Sequence, residues 1–331
     1  GTTLSLNSSP SHVFIREDGT GAFCVFSEHN LEDAEENLIP VVNAHCSDSD
    51  TLLAGVFDAS EPSDLENAFT PVASAGQNAS LSGGEVAASL VDAAYDGADT
   101  LLAVFYREDE SGTVQLHSRG RVAGVWEDFL LPVTTSVTAS YTTAQENSFP
   151  IRPAVTALSP GRFLVVWPMY ELDENRLGLF YSVRDGDGIW ARPKSMGIDI
   201  FWQADGLIDG AGLSVVDGLW LYSNGDGEAA LAVRYLGSEH DDMGGTEDIA
   251  RKWIFSRFTD TSESWDDASI HGRPGYEEDK YVGCIPSEAP DGLNHCSQPP
   301  SGAVFSDGSA VIVFPMSDNE LRARLGSVIY Q

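Results

Sequence analysis

Five times along the chain a short apolar strand runs into a glycine turn and out into a second strand ending on Val, Trp or Phe. The copies read "IREDGTGAFCVF" to Phe26, "AAYDGADTLLAVF" to Phe105, "TALSPGRFLVVW" to Trp167, "YSNGDGEAALAV" to Val233 and "VFSDGSAVIVF" to Phe314. Their turn glycines, Gly19, Gly97, Gly161, Gly227 and Gly308, are spaced by 78, 64, 66 and 81 residues. Glycine between β-branched and aromatic runs marks a hairpin, because it takes φ > 0 at no steric cost. Helical periodicity is nearly absent, so the chain reads as all-β.

A third strand follows each hairpin: "LIPVVNAHC", "TVQLHSR", "LGLFYSV", "KWIFSRF" and "ELRARLG". Three copies continue into a fourth with a tryptophan, "GVWEDF" (Trp126), "GIWARP" (Trp190) and "SWDDAS" (Trp265), and in the first copy "TLLAGVF" takes that place. Tandem four-stranded units predict a β-propeller, in which radial repetition protects the sheet edges. The expectation is one domain over residues 1–331 with five four-stranded blades, or six if the wide intervals before Gly97 and Gly308 hold another. "TTLSLN" near the N-terminus would close the ring with the C-terminal strand. Two insertions, 238–248 and 272–300, fall within or after the fourth copy.

"SVRDGDGIW", Ser182–Trp190, sets the phase of this repeat. The pattern resembles the degenerate sialidase-type repeats (BNR or Asp-box-like) of secreted bacterial propellers, whose regular box reads Ser-x-Asp-x-Gly-x-Thr-Trp. Asp185 keeps the box distance from Trp190, while Asp187 stands at the glycine and Val183 at the serine. Around Trp265 only Asp260 fits, and before Trp126 the aspartate is Arg121. The resemblance implies the fold and says little of activity. The recurring tryptophans read as packing anchors between blades and "DGDG" as a turn, since Ile189 and Trp190 stand where an EF-hand loop needs oxygen ligands.

The balance of 51 acidic against 18 basic residues, net −33, excludes nucleic acid and anionic membranes as partners. The acid is spread along the chain, as on a surface solvated in a salty medium. No apolar run approaches the length of a membrane span. No signal segment is visible, and a start at Gly1 reads as a trimmed chain. Cys24 with Cys46 and Cys284 with Cys296 form two local pairs without any CxxC, which reads as two disulfides in an oxidising compartment, although four cysteines allow three connectivities. The chain is therefore expected to be secreted, periplasmic or on the cell surface. "QNAS" carries a glycosylation triplet at Asn78.

No His spacing holds a metal on one element, and no nucleotide-binding or nucleophile-elbow motif stands in a suitable setting. Function must then sit where the first strands begin, near a propeller axis, and in the insertions. The first strands bring in His12, Glu85, Arg152 and Asp217. Glu85 and Asp217 are the carboxylate pair for a glycosidase, which needs two across the scissile bond. Tyr276, Tyr281 and Trp202 join His12 and Arg152 as candidate ligand contacts. Asp241, Asp242, Glu247 and Asp248 are an oxygen-rich candidate for Ca2+, the one cofactor considered. The reading is a recognition module for a carbohydrate or a surface protein. A glycoside hydrolase or lyase, and a structural or adhesive part of a surface assembly, are the alternatives.

Overall fold

A computed structural model of the chain describes residues 11–15, 21–32, 38–49, 78–80, 88–108, 114–123, 125–127, 131–133, 152–171, 176–199, 215–238, 249–266, 269–271, 299–317 and 323–330. Every regular element among the described residues is a β-strand. The strands form five sheets, each built from one uninterrupted stretch of chain with its first three strands side by side in sequence order.

The first sheet holds β1 (Ser11–Ile15), β2 (Gly21–Glu32), β3 (Leu38–Ser49) and β4 (Asn78–Ser80). The second holds β5 (Ala88–Tyr95), β6 (Thr100–Glu108) and β7 (Val114–Val122), with the short β8 (Val125–Trp126) and β9 (Leu131–Pro132) both paired to β7. The third holds β10 (Ala154–Ser159), β11 (Arg162–Glu171), β12 (Arg176–Arg184) and β13 (Lys194–Asp199). The fourth holds β14 (Val215–Ser223), β15 (Glu228–Ser238) and β16 (Ile249–Thr259), with β17 (Ser264–Trp265) and β18 (Ser269–His271) on β16. The fifth holds β19 (Ser301–Val304), β20 (Ala310–Ser317) and β21 (Ala323–Tyr330).

The five sequence copies thus become five sheets, with Trp126 on β8 and Trp265 on β17 as expected. In the third sheet, however, the fourth strand is β13, and Trp190 makes only an isolated bridge to Arg184, because the turn at 185–189 brings it back beside β12 before the strand begins. In the first sheet, the strand described after β3 is β4, pairing Asn43↔Ser80 through His45↔Asn78. "TLLAGVF", like "TTLSLN", lies outside the described residues.

The second strands explain why these sheets need neighbours. Leu101–Phe105 on β6, Phe163–Trp167 on β11 and Ala229–Val233 on β15 are apolar at successive positions and at most 4% exposed. A strand buried at odd and even positions has both faces covered, which an isolated hairpin cannot supply.

The chain divides into two compact units. One is Gly1–Ala139 with Ser159–Leu164 and Ser182–Pro193, and the other is Ser140–Leu158 with Val165–Tyr181 and Lys194–Gln331. In the second unit, Ala230, Ala232, Trp253 and Phe255 pack on Val304, Ala310, Ile312 and Phe314. Ring centroids lie 4.8 Å apart for Phe255–Phe314 and 5.5 Å apart for Trp253–Phe314.

Each sheet has two unlike ends. At one, the first strand turns tightly into the second through the glycine that marks the repeat: φ is +79° at Gly97, +74° at Gly161, +94° at Gly227 and +81° at Gly308. At the other, the second strand connects to the third through "DAEEN" (33–37), "DESGT" (109–113), "LDEN" (172–175), "EHDDMGGTED" (239–248) and "DNELR" (318–322). Every one of these connections carries at least two carboxylates, and Arg322 is their only Lys or Arg. The first strands also begin at this end.

Candidate functional site

Five of the expected site residues fall on described backbone: His12 on β1, Arg152 just before β10 and Asp217 on β14, all at or near the start of a first strand, and Cys24 on β2 and Cys46 on β3. Arg152 is half-buried. Glu85, Trp202, Tyr276, Tyr281, Asp241, Asp242, Glu247, Asp248, Cys284 and Cys296 lie outside the described residues. The structure therefore places Asp217 but not the carboxylate expected to face it.

Asp217 occupies a special backbone position. On β14, Val216 pairs with Tyr235 and Gly218 with Arg234, so Asp217 is the extra residue of a β-bulge. A second register shift interrupts β5 between Ser89 and Asp92, again in the half of a first strand away from its turn. Bulges bend a strand and re-aim a side chain, and they are over-represented next to sites.

The strand beyond this bulge is braced by a buried cation. Arg234 is 6% exposed, with its guanidinium carbon 5.2 Å from the Trp220 ring centre and 5.7 Å from that of Trp253. The two indoles are themselves 5.6 Å apart. Burying a charge is costly, and two aromatic faces offset part of that cost. Gly218 gives the indole its place, because a Cβ at that position would meet Trp220 Cη2 at 2.1 Å and the ring would have to move. The chain therefore bulges at 217, leaves room at 218 and lays Trp220 back over the gap. Sequence reading missed Arg234, Trp220 and Trp253. "LAVRYLG" and "GLWLYS" read only as strands, and nothing in their spacing announces a guanidinium between two indoles.

At the turn end the acidic and amide side chains are used by the backbone. Asp96 Oδ1 accepts from the Ala98 and Thr100 amides, both at 2.9 Å, and its Oδ2 accepts from the Gly161 amide at 2.8 Å. Asn224 Oδ1 accepts from the amides of Asp226 at 2.8 Å and Glu228 at 3.2 Å. Asp307 Oδ1 accepts from the Ser309 amide at 2.9 Å and its hydroxyl at 2.6 Å, and these bonds hold the Asp307 carboxyl below its ordinary value.

"DGDG" behaves in the same way. Asp185 Oδ1 accepts from the amides of Asp187 at 3.1 Å and Ile189 at 2.9 Å. The loop is a turn, as expected, and its first carboxylate is engaged within it. Just before it, the Arg184 side chain is 6% exposed and lies 3.8 Å from a Glu127 oxygen. Burial lowers the Arg184 pKa, and the charge of Glu127 opposes that shift.

The tryptophans are anchors. Trp190 Nε1 donates to Ser118 Oγ at 2.8 Å, Trp126 is 4% exposed, and Trp265 packs edge-on to Tyr181 with centroids 5.8 Å apart. Among the described residues no group of three or more His, Cys, Asp or Glu side chains is arranged to hold a metal ion. No helix of the described residues is long and apolar enough to cross a membrane.

No protein-family model matches the sequence, and no curated protein is similar to it. Solved structures do resemble it. The GH93 α-L-arabinofuranosidase of Fusarium graminearum, in complex with arabinobiose, aligns at 10% identity over 95% of this chain and 79% of that one, with a TM-score of 0.43. A thermostable family-43 glycoside hydrolase aligns at 8% identity over 100% and 93%, with a TM-score of 0.40. The β-propeller domain of the Trilobed protease from Pyrococcus furiosus aligns at 10% identity over 74% and 55%, with a TM-score of 0.35. Likeness at this level assigns no activity, so function is argued from the chain's own residues.

Proposed function

We propose that the chain is a five-bladed β-propeller, closed by its terminal strands, that works outside the cytoplasm as a recognition module for a neutral carbohydrate. The observation that carries this reading is the bulge at Asp217, set beside the Trp220–Arg234–Trp253 stack. A carboxylate held on a rigid, aromatic-braced strand is a directional acceptor for sugar hydroxyls. Five sheets in chain order, with the second strands β6, β11 and β15 covered on both faces, support the propeller. The net charge of −33 repels uronic and sialic acids, hence a neutral ligand. His12, Arg152, Trp202, Tyr276 and Tyr281 would complete the contacts, through the first-strand starts and the long insertions.

The test is a neutral-glycan array run beside chromogenic glycosides, on wild type and Asp217→Asn. The expected result is binding without turnover, with affinity at least about tenfold weaker in Asp217→Asn at unchanged melting temperature. Turnover abolished by Asp217→Asn and by Glu85→Gln would replace this reading with a glycoside hydrolase. Absence of both binding and turnover would overturn the carbohydrate reading and leave the assembly role.

A further inference from the structure

The register of the first sheet brings together three residues that lie 12 and 22 positions apart in sequence. His12 on β1 is the cross-strand partner of Cys24 on β2, and Cys24 is the partner of Cys46 on β3. The three form one row across three strands and therefore share a face of the sheet. The neighbouring row on that face is Phe14–Ala22–Asp48, which places a carboxylate position two residues from Cys46.

Directly opposed residues of antiparallel strands have Cα atoms roughly 4.5–5.5 Å apart, whichever hydrogen-bonding class the pair belongs to. That interval lies inside the roughly 4.4–6.8 Å over which a disulfide forms without moving backbone. We infer that Cys24 and Cys46 are a cross-strand thiol–disulfide pair, with His12 directing exchange to Cys24.

The chemistry balances with a donor disulfide of the glutathione or dithiol-oxidase class. The Cys24 thiolate attacks one donor sulfur and displaces the other as thiol, giving a mixed disulfide. The Cys46 thiolate then attacks Cys24 Sγ and releases the second donor thiol. The S–S bond formed on the protein replaces the one broken in the donor, which carries off both protons and both electrons. The register puts His12 directly across from Cys24 and two strands from Cys46, and in the proposed exchange attack therefore begins at Cys24.

Cleavage after glutamate, which spares the Glu61–Pro62 bond, separates the two cysteines into Asp18–Glu28 and Asn37–Glu66. Peptide mapping of the unreduced protein, alkylated first, is expected to show these two peptides joined, and reduction is expected to part them. Linkage of either cysteine to Cys284 or Cys296 would overturn the pair. So would two free thiols after equilibration with excess oxidised glutathione, or stoichiometric zinc released on alkylation.

The direction of exchange has its own measurement. Cys46→Ser should trap glutathione at Cys24 about tenfold faster than Cys24→Ser traps it at Cys46. His12→Ala should erase that ratio. Equal rates in the presence of His12 would remove the histidine from the proposal and leave the disulfide to the mapping result.

Discussion

The two ends of the sheets carry similar chemistry to opposite purposes. At the turn end, Asp96, Asn224 and Asp307 are absorbed by the backbone, each filling two or three hydrogen bonds that hold a glycine turn in place. Along the sequence, the five segments that join second to third strands each hold at least two carboxylates, with Arg322 the one Lys or Arg among them. The first arrangement stabilises a sheet. The second concentrates acidic residues next to the second strands in sequence. The same side chain is structural or functional according to whether backbone amides reach it first.

Breaking the turn end should give the largest effect. Asp96→Ala removes the acceptor of three backbone amides and is expected to cost roughly 3 kcal/mol in chemical denaturation, with no dependence on salt. Asp96→Asn keeps the Oδ1 acceptor that Asn224 uses naturally but turns an NH2 donor toward the Gly161 amide, and should recover only part of that loss.

Neutralising the connection end should do the reverse. Replacing Asp241, Asp242, Glu247 and Asp248 by their amides is expected to raise the melting temperature by a few degrees at about 0.05 M salt. The gain should vanish near 1 M, where wild type is already screened. A melting-temperature series in sodium chloride checks this, and parallel salt curves for variant and wild type would break the comparison.

The smallest effect concerns pH. Asp307 titrates below the ordinary 3.8 because Ser309 hydrogen-bonds its charged form. Its contribution is present above pH 3.8 and is lost as the pH falls through its lowered value. A slight melting difference between wild type and Asp307→Ala at pH 5 should therefore shrink as the pH is lowered below 3.8 and vanish once the folded-state carboxyl is protonated.

What the sequence disclosed and what it hid follow from how local each signal is. Gly97, Gly161, Gly227 and Gly308 could be aligned by eye because left-handed backbone at a hairpin is a single-residue requirement, and all four have it. The buried runs of β6, β11 and β15 announced themselves through continuous apolar residues. β4 was hidden because three residues, "NAS", an alanine between two polar side chains, carry no strand signal; the strand is defined by its pairing to β3. Asp217 was legible as a first-strand residue from the repeat phase, but its bulge was not, since a bulge exists only relative to the partner strand. The same holds for Arg234 between its indoles and for the row His12–Cys24–Cys46. Both depend on register across strands, which residue spacing along one strand does not encode.

Among the described residues each sheet comes from one uninterrupted stretch of chain, which has a consequence for biogenesis. The first sheet ends at Ser80 and the fifth begins at Ser301. Its strands are thus complete while most of the polypeptide is still unsynthesised, and each later sheet is finished before the next one starts. A nascent chain of this design emerges as a series of short meanders whose partners arrive in order. The exposed face of the newest meander is the surface most in need of chaperoning until its successor lands.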